Sequence, residues 1–475
     1  MCCMSQIDGH LLTACRQQAE AAGQAHLFAR WNDLSPEQQE SLLSQVASLD
    51  FALLARLWSQ RGKTEGDSVT AKVARAQPLQ DLVRIPHSSD ELEERRQARA
   101  TGETLLREGR VGVILVAGGE GSRLGLSGPK GMFPIGPASQ HSLYQILAEQ
   151  VVAHTRRVGR PVPYCLMTSH ATDQATREFF ASHSYFGLDP RSVHFVRQGV
   201  MPAVDRATGQ ILMSGPGTIA MNPNGHGGLL QALQDSGMFD RFRHDGVELL
   251  YYHQVDNPLA QVCDPVLLGL HRQRQAQVTV KVVAKQTPEE KMGVLTSIDG
   301  QVQILEYSDL NSADVRRTTA AGDLLFWAGN TAIHVFDRET LATLSRLEDA
   351  LPYHQAIKKV SSLDASGRLV VPQAENAIKY ERFIFDVLPR IQKCLVVEAP
   401  RDEEFCPLKN ATGEFSADHV RQALHARSLA WLSQCCRVPE GVGPIEISPL
   451  RALAAEDLDG WQPPAVWPSG PLFIQ

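Results

Sequence analysis

No stretch of the 475-residue chain approaches the roughly 20 consecutive apolar residues of a membrane-crossing helix. The opening Met1-Cys-Cys-Met-Ser has neither a basic region nor an apolar core, which predicts no secretory signal. Cys2 stands where N-myristoylation needs a glycine. The nine cysteines are odd in number and form no C-x-x-C pair. That pattern reads as reduced thiols in a cytoplasm, and argues against a disulfide frame or a zinc site. None of the sixteen histidines pairs at H-x-x-x-H or H-E-x-x-H spacing, which removes the commonest zinc motif. Positive charge is in deficit, with 46 Lys and Arg against 53 Asp and Glu and a net charge of -7. A basic stripe is absent, so nucleic acid is not the expected partner. Internal repeats and low-complexity tracts are absent too. What remains is an ordinary globular composition, 43% hydrophobic and 21% charged, on a chain long enough for two or three domains.

The periodicity changes along the chain. Residues 1–60 read as helical. Ser35-Pro-Glu-Gln38 is a capping box with proline at the first helical position, and Leu42, Leu43, Val46 and Leu49 follow at helical spacing. Asp50 is a candidate cap for the next helix. Residues 61–90, with Gly62, Gly66 and Pro78, read as a connecting segment. A charged helix over 91–108 leads into an apolar strand, Val111–Val116. Strands are then predicted over 162–168, 193–196, 247–255 and 277–284, with helices over 172–183, 229–236 and 264–275 between them. This order predicts an α/β fold: a central mixed, mostly parallel sheet with helices on both faces. Residues 290–335 read as a mixed insertion over the sheet edge. After about residue 400 a helix at 418–435 and a proline-rich tail suggest a small C-terminal domain. The expected division is an N-terminal helical domain and linker (1–105), a catalytic domain (106–400) and a C-terminal domain (401–475).

The densest chemistry lies directly behind Val111–Val116. The run from Leu115 to Pro134 holds six glycines, Arg123 and Lys130. Glycines after a buried strand let the backbone approach an anion and aim N–H groups at it. Arg123 and Lys130 supply positive charge for a polyphosphate. A Walker A loop is excluded, because Gly131 follows Lys130 and no hydroxyl comes next. A dinucleotide fingerprint starting at Gly119 would need a glycine where Leu124 stands. A second element, Val255-Asp-Asn257, ends a strand, where open α/β sheets bind ligands; Asp256 is a candidate magnesium ligand there, or a turn cap. A third, Pro223-Asn-Gly-His-Gly-Gly228, is a glycine turn ahead of a helix.

The first run closely resembles the loop of nucleotide-sugar pyrophosphorylases, L-A-G-G-x-G-T/S-R-L-G, a short gap, then P-K-G-M. Val116 adds one residue between its leucine and alanine. Ala22-Gly-Gln-Ala-His-Leu-Phe-Ala-Arg-Trp-Asn32 and Glu446-Ile-Ser-Pro-Leu450 resemble the eukaryotic-type UDP-N-acetylglucosamine/N-acetylgalactosamine pyrophosphorylases. The resemblance implies a central nucleotide-binding domain between small terminal ones. It implies a reaction of UTP with an N-acetylhexosamine 1-phosphate, with Mg2+ (or Mn2+) held at Asp256. Gly118 and Gly119 would line the nucleotide, and Arg123, Lys130 and Lys409 (in Cys406-Pro-Leu-Lys-Asn410) would meet its phosphates. Gln198 would read uracil, since an amide offers both donors and an acceptor. Gly225, His226 and Gly227 would hold the nucleoside. Gly293, Glu306 and Asn330 would contact the sugar. Phe383 and Phe385 are either an aromatic wall near the sugar or core residues on one face of a strand. One departure stands out: Gly225-His-Gly-Gly228 replaces the acetylglucosamine branch's Gly-Asn-Gly-Gly and looks like the UDP-glucose branch. The exact sugar therefore stays open between N-acetylglucosamine, N-acetylgalactosamine and glucose, and a broad UDP-sugar pyrophosphorylase is an alternative. A non-catalytic nucleotide-sugar sensor would be expected to lack Lys130 or Asp256, and both are present. The expected protein is a cytoplasmic monomer or weak homo-oligomer that binds neither nucleic acid nor membrane.

Overall fold

The computed structural model describes residues 9–61, 69–347 and 349–475; Cys2, Cys3, Gly62 and Gly66 lie outside them. The chain forms two compact units. The first gathers Met1–Ser68, Gly199–Gly228 and Leu351–Ile384. Its helices include Gly9–Ala21, Pro36–Ala47 and Phe51–Ser59, and the last two start where their caps predict. The Ser35 hydroxyl accepts from the Gln38 N–H at 3.3 Å, and the Gln38 side chain returns the bond to the Ser35 N–H at 2.9 Å. Asp50 accepts from the Leu53 N–H at 2.9 Å. Leu42, Leu43 and Val46 then bury against Val204, Ile211, Ile219, Ile378 and Tyr380. Two glutamines finish the contact by satisfying backbone groups of the short strands. The Gln45 amide donates to the Gly217 carbonyl (3.1 Å) and accepts from the Ile219 N–H (2.9 Å). Gln24 bridges Gly209 and Ile211 in the same way, at 3.2 and 2.8 Å. Pairing these groups avoids the cost of leaving them buried and unmade.

The second unit comprises Val69–Gln198, Leu229–Ala350 and Phe385–Gln475. It is built on a ten-stranded sheet of β1 (Leu82–Val83), β2 (Val111–Val116), β3 (Tyr164–Thr168), β4 (Val193–Arg197), β5 (Leu249–Gln254), β6 (Val278–Ala284), β7 (Val294–Ile298), β8 (Gln301–Leu305), β9 (Ala328–Asp337) and β10 (Cys394–Glu398). Their order is β1-β10-β6-β9-β5-β2-β3-β4, with the β7–β8 hairpin joined to β9. Strand β9 runs antiparallel to β5 and β6, and every other pair along the row is parallel. The fold class is thus the mixed, mostly parallel α/β sheet that the alternation predicts. β2 and β3 are buried almost throughout, as sheets covered on both faces require. The helices Ser89–Arg107 and Pro265–Gln273 cross very closely. A Cβ at Gly102 would stand 1.9 Å from the Pro265 carbonyl oxygen, and one at Gly269 1.8 Å from that of Ala98, so only glycine permits the crossing.

Three features depart from the sequence expectations. The supposed connecting segment holds a helix, Val69–Arg75, and strand β1, which pairs with β10 at the sheet edge. The region 290–335 is not confined to an edge: its last strand, β9, lies between β5 and β6 inside the sheet. The helix Leu143–Val158, absent from the expected elements, is buried at every position from Leu143 to His154 except Gln145. Because Glu149, Gln150 and His154 lie among its buried positions, its polar residues do not mark out a solvent face, and the one-faced pattern that announces a surface helix is blurred. No helix of the described residues is long and apolar enough to cross a membrane.

The Glu446 segment acquires a local role. Its carboxylate accepts from the Ala138 N–H (2.9 Å), the Ser139 N–H (2.8 Å) and the Ser139 hydroxyl (2.8 Å). Gly136 lies so close that a Cβ there would meet the carboxylate at 2.7 Å. The turn that follows the glycine run is thereby tied to the C-terminal segment.

Candidate functional site

The glycine run leaves the carboxyl end of β2 and folds back on itself. The Lys130 N–H donates to the Gly119 carbonyl at 3.0 Å, and the Gly121 N–H to that of Gly128 at 2.8 Å. Gly125 and Gly128 take positive φ of 74° and 135°, where a side chain would be strained. Gly119 borders open space, with nothing within 4 Å of the position a Cβ would take. At Gly118 the opposite holds. A Cβ would fall 2.5 Å from the Gln198 side-chain oxygen, so the absence of a side chain lets that amide lie on the loop. Gln198 is 6% exposed, and its N–H donates to the Thr168 carbonyl at the end of β3 (2.9 Å). Gly131 sits on the buried Tyr144 ring, 2.2 Å from where its Cβ would be. Arg123 is exposed on the short turn Ser122–Leu124.

Lys130 points from the loop to the end of β5. Its Nζ donates to the Leu408 carbonyl at 2.9 Å and stands 3.9 Å from the Asp256 carboxylate. The Leu408 N–H in turn donates to the Asp256 carbonyl at 2.7 Å. Lys130, Asp256 and the segment that carries Lys409 therefore meet, although 278 residues separate Lys130 from Leu408. Lys409 is exposed, and its N–H is fixed by the Phe415 carbonyl (2.8 Å). Asn257, part of the quoted triplet but assigned no role from sequence, holds this arrangement. Its amide donates to the Glu404 carbonyl (2.7 Å) and accepts from the Cys406 N–H (3.2 Å). No sequence spacing signals those bonds.

The sugar candidates of this unit also cluster. The Asn330 N–H donates to the Gly293 carbonyl at 2.9 Å, and a Cβ on Gly293 would lie 3.2 Å from the Glu306 carboxylate. β7 and β8 begin and end beside them through the pair Val294 and Leu305. Both residues also belong to local turns: the Glu306 N–H donates to the Asp309 carboxylate at 3.0 Å, and the Asn330 side chain accepts from the Ala332 N–H at 3.0 Å. Phe385 is buried on the irregular turn Ile384–Arg390, so the reading of 383 and 385 as one strand face does not hold.

Gly225, His226, Gly227 and Phe383 belong to the first unit. Cβ atoms at Gly225 and Gly227 would strike the Arg382 backbone at 2.4 and 2.7 Å, so the glycine turn lies flat on the backbone that follows the strand Ala377–Glu381. His226 Nδ1 accepts from the Ile384 N–H at 3.2 Å, and its ring stacks on Phe383 with centroids 5.3 Å apart. His354 stacks on the same phenylalanine at 4.7 Å. Burial, with His354 adding repulsion, brings His226 down to about 4, so the ring is neutral near pH 7.

Among the described residues no group of three or more His, Cys, Asp or Glu is placed to cage a metal. Asp256, half-buried beside Lys130, offers a single carboxylate with hard oxygen donors. That suits magnesium, which takes one or two carboxylates and completes its shell with substrate phosphates and water.

A glycine loop, a lysine and an aspartate at the carboxyl ends of neighbouring parallel strands define a nucleotide-binding α/β protein of the nucleotidyltransferase kind. The chain belongs to the family described as UTP–glucose-1-phosphate uridylyltransferase, matched over residues 52–439. It is 34% identical over 474 residues to UDP-N-acetylhexosamine pyrophosphorylase-like protein 1 of Homo sapiens, covering 94% of this chain and 93% of the relative. It is 33% identical over 463 residues to UDP-N-acetylglucosamine diphosphorylase 1 of Arabidopsis thaliana, covering 92% and 88%. The crystal structure of the Trypanosoma brucei uridine diphosphate N-acetylglucosamine pyrophosphorylase in complex with inhibitor superposes with a TM-score of 0.82 at 25% identity, covering 98% of each chain.

Proposed function

We propose that the protein joins UTP and an N-acetylhexosamine 1-phosphate, N-acetylglucosamine being preferred, to give the UDP-sugar and pyrophosphate. The observation that carries this reading is the meeting of Lys130, Asp256 and the Lys409 segment at the glycine loop. The names of the relatives support it. The sugar phosphate oxygen, already an anion, attacks the α-phosphorus of UTP in line, and pyrophosphate leaves opposite. No covalent intermediate on the protein is required. The chain's contribution is positioning and charge neutralisation. Lys130 and Arg123 offset charge on the α-phosphate and the leaving group, and Lys409 holds the sugar phosphate. Asp256 would hold magnesium, which supplies further neutralisation on the phosphates. A cytoplasmic setting accords with the cysteine pattern. The direct test is a panel of sugar 1-phosphates against the four NTPs, read as pyrophosphate release. Absence of release from every combination would overturn the reading.

Two further outcomes follow from the geometry. Asp256→Asn is expected to raise the magnesium concentration needed for half-maximal turnover, and excess chelator to abolish wild-type activity; full turnover in chelator would remove the metal from Asp256. Gln198→Ala is expected to raise the KM for UTP and to relax discrimination against CTP, since an unpaired polar edge in a dry site costs about 1–3 kcal/mol. An unchanged UTP to CTP ratio would move base recognition away from Gln198.

A further inference from the structure

The proposed chemistry does not use the most buried charge in the sheet. Lys281, on β6, is 1% exposed. Its Nζ donates to Asp264 at 2.8 Å and to Glu404, itself 4% exposed. The other Glu404 oxygen accepts from the Gln261 N–H at 3.2 Å. Asp264 caps the helix Pro265–Gln273 through the Val266 N–H at 2.9 Å. Burial works against the Lys281 ammonium, yet the two carboxylates hold it above the ordinary lysine range. Arg95 and Arg427 add positive charge around the pair of carboxylates. Buried ion groups of this kind are weak sources of stability, and well-packed apolar residues often do as well. What the group does have is a place in the chain of contacts below the site. Glu404 is the root of the segment that reaches Lys409. Its carbonyl is held by Asn257, and the next bonds run from the Cys406 N–H to Asn257, from the Leu408 N–H to Asp256 and from Lys130 to the Leu408 carbonyl.

We propose that Lys281 is a positioning residue. By anchoring Glu404 to β6 it fixes the 404–409 segment, and so sets Lys130, Asp256 and Lys409 relative to one another. This rests on the uridylyltransferase reading for its catalytic consequence but not for its structural one. Loss of a partner that orients a ligating or charge-bearing group costs about 10–100-fold in activity or metal affinity in comparable sites.

The test is the double variant Lys281→Met with Glu404→Gln, which removes the tie without stranding the Glu404 carboxylate; Asp264 loses its ammonium partner but keeps its helix cap and the nearby charge of Arg95. Glu404→Gln alone, which leaves Lys281 balanced by Asp264, serves if the double variant does not fold. Amide hydrogen exchange of 404–409 is measured on the ligand-free full chain, alongside kcat, the KM for UTP and the magnesium requirement. The double variant is expected to exchange faster in that segment, to lose at least about tenfold in kcat and to need more magnesium, with the exchange of β2 and β3 unchanged. Glu404→Gln alone is expected to shift the same readouts in the same direction by less. Unchanged exchange at 404–409, or faster exchange with wild-type kcat, would overturn the proposal. A wild-type protein that releases no pyrophosphate would overturn the functional reading instead, while the exchange measurement would still decide the anchoring.

Discussion

Lys130→Ala is expected to lower kcat by about two to three orders of magnitude, on the scale of removing one preorganised donor to a developing oxyanion. The alanine variant loses two things. The first is the ammonium that, on the uridylyltransferase reading, offsets charge on the phosphates. The second is the 2.9 Å bond to the Leu408 carbonyl, which ties the loop to the Lys409 segment. The Asp256 carboxylate, 3.9 Å away, also loses its cationic neighbour. Both losses bear on the transition state more than on ground-state binding, so kcat should fall further than the KM for UTP rises. Lys130 lies on a short turn and is part of no hydrophobic cluster, so circular dichroism and the thermal midpoint are expected to stay close to wild type. Near wild-type turnover would remove the central claim. Arg123→Ala and Lys409→Ala are expected to act in the same sense, since both are exposed charges whose removal leaves no cavity.

What the sequence discloses and what it withholds differ in a physical way. The glycine loop is legible because its function lies in consecutive residues: backbone N–H groups, a lysine and an arginine within one turn of chain. The Ser35 and Asp50 caps are legible for the same reason, since a cap and its helix are neighbours. Strand β1 is two residues long and exists only through its pairing with Val396 and Val397, more than three hundred positions away. No local pattern could mark it. Strand β9 was hidden among turn residues, and its place between β5 and β6 follows from antiparallel pairing over 249–252 and 278–284. In the site, the strand-end Asp256 was readable as a candidate from its position. The bonds that turn it into part of a constellation, through Asn257 and Leu408, come from a segment roughly 150 residues later. Lys281 alternates along its strand like any polar residue of a half-exposed sheet. Only burial and the two facing carboxylates give it meaning.

The sugar is where local reading divides, and it carries the other large effect. N-acetylglucosamine 1-phosphate is expected to be used better than glucose 1-phosphate, with N-acetylgalactosamine 1-phosphate accepted as well. A site built to hydrogen-bond a group can reject an analogue lacking it by about 10⁴-fold, whereas spare room alone discriminates weakly. On the acetylhexosamine reading the Glu306 carboxylate and Asn330 would provide such polar groups, and both residues lie beside Gly293, with their backbones fixed by Asp309 and by Gly293. Against this stands His226, the residue type of the glucose branch. Its environment limits what it can do. Because Nδ1 accepts from the Ile384 N–H, the ring proton resides on Nε2, and with a pKa near 4 the ring is a neutral group near pH 7. It is also packed against Phe383, which gives it a fixed plane. His226→Asn keeps a donor and an acceptor but gives up the stack, so it is expected to change the ratio of kcat/KM for the two sugar phosphates more than it changes the thermal midpoint. The measurement is that ratio, taken with UTP saturating, for wild type and variant. A wild-type preference for glucose 1-phosphate would overturn the acetylhexosamine assignment. The Lys130 and Asp256 chemistry would stand, and the chain would move to the glucose branch, with His226 rather than the Glu306 and Asn330 pair as the group that sets the sugar.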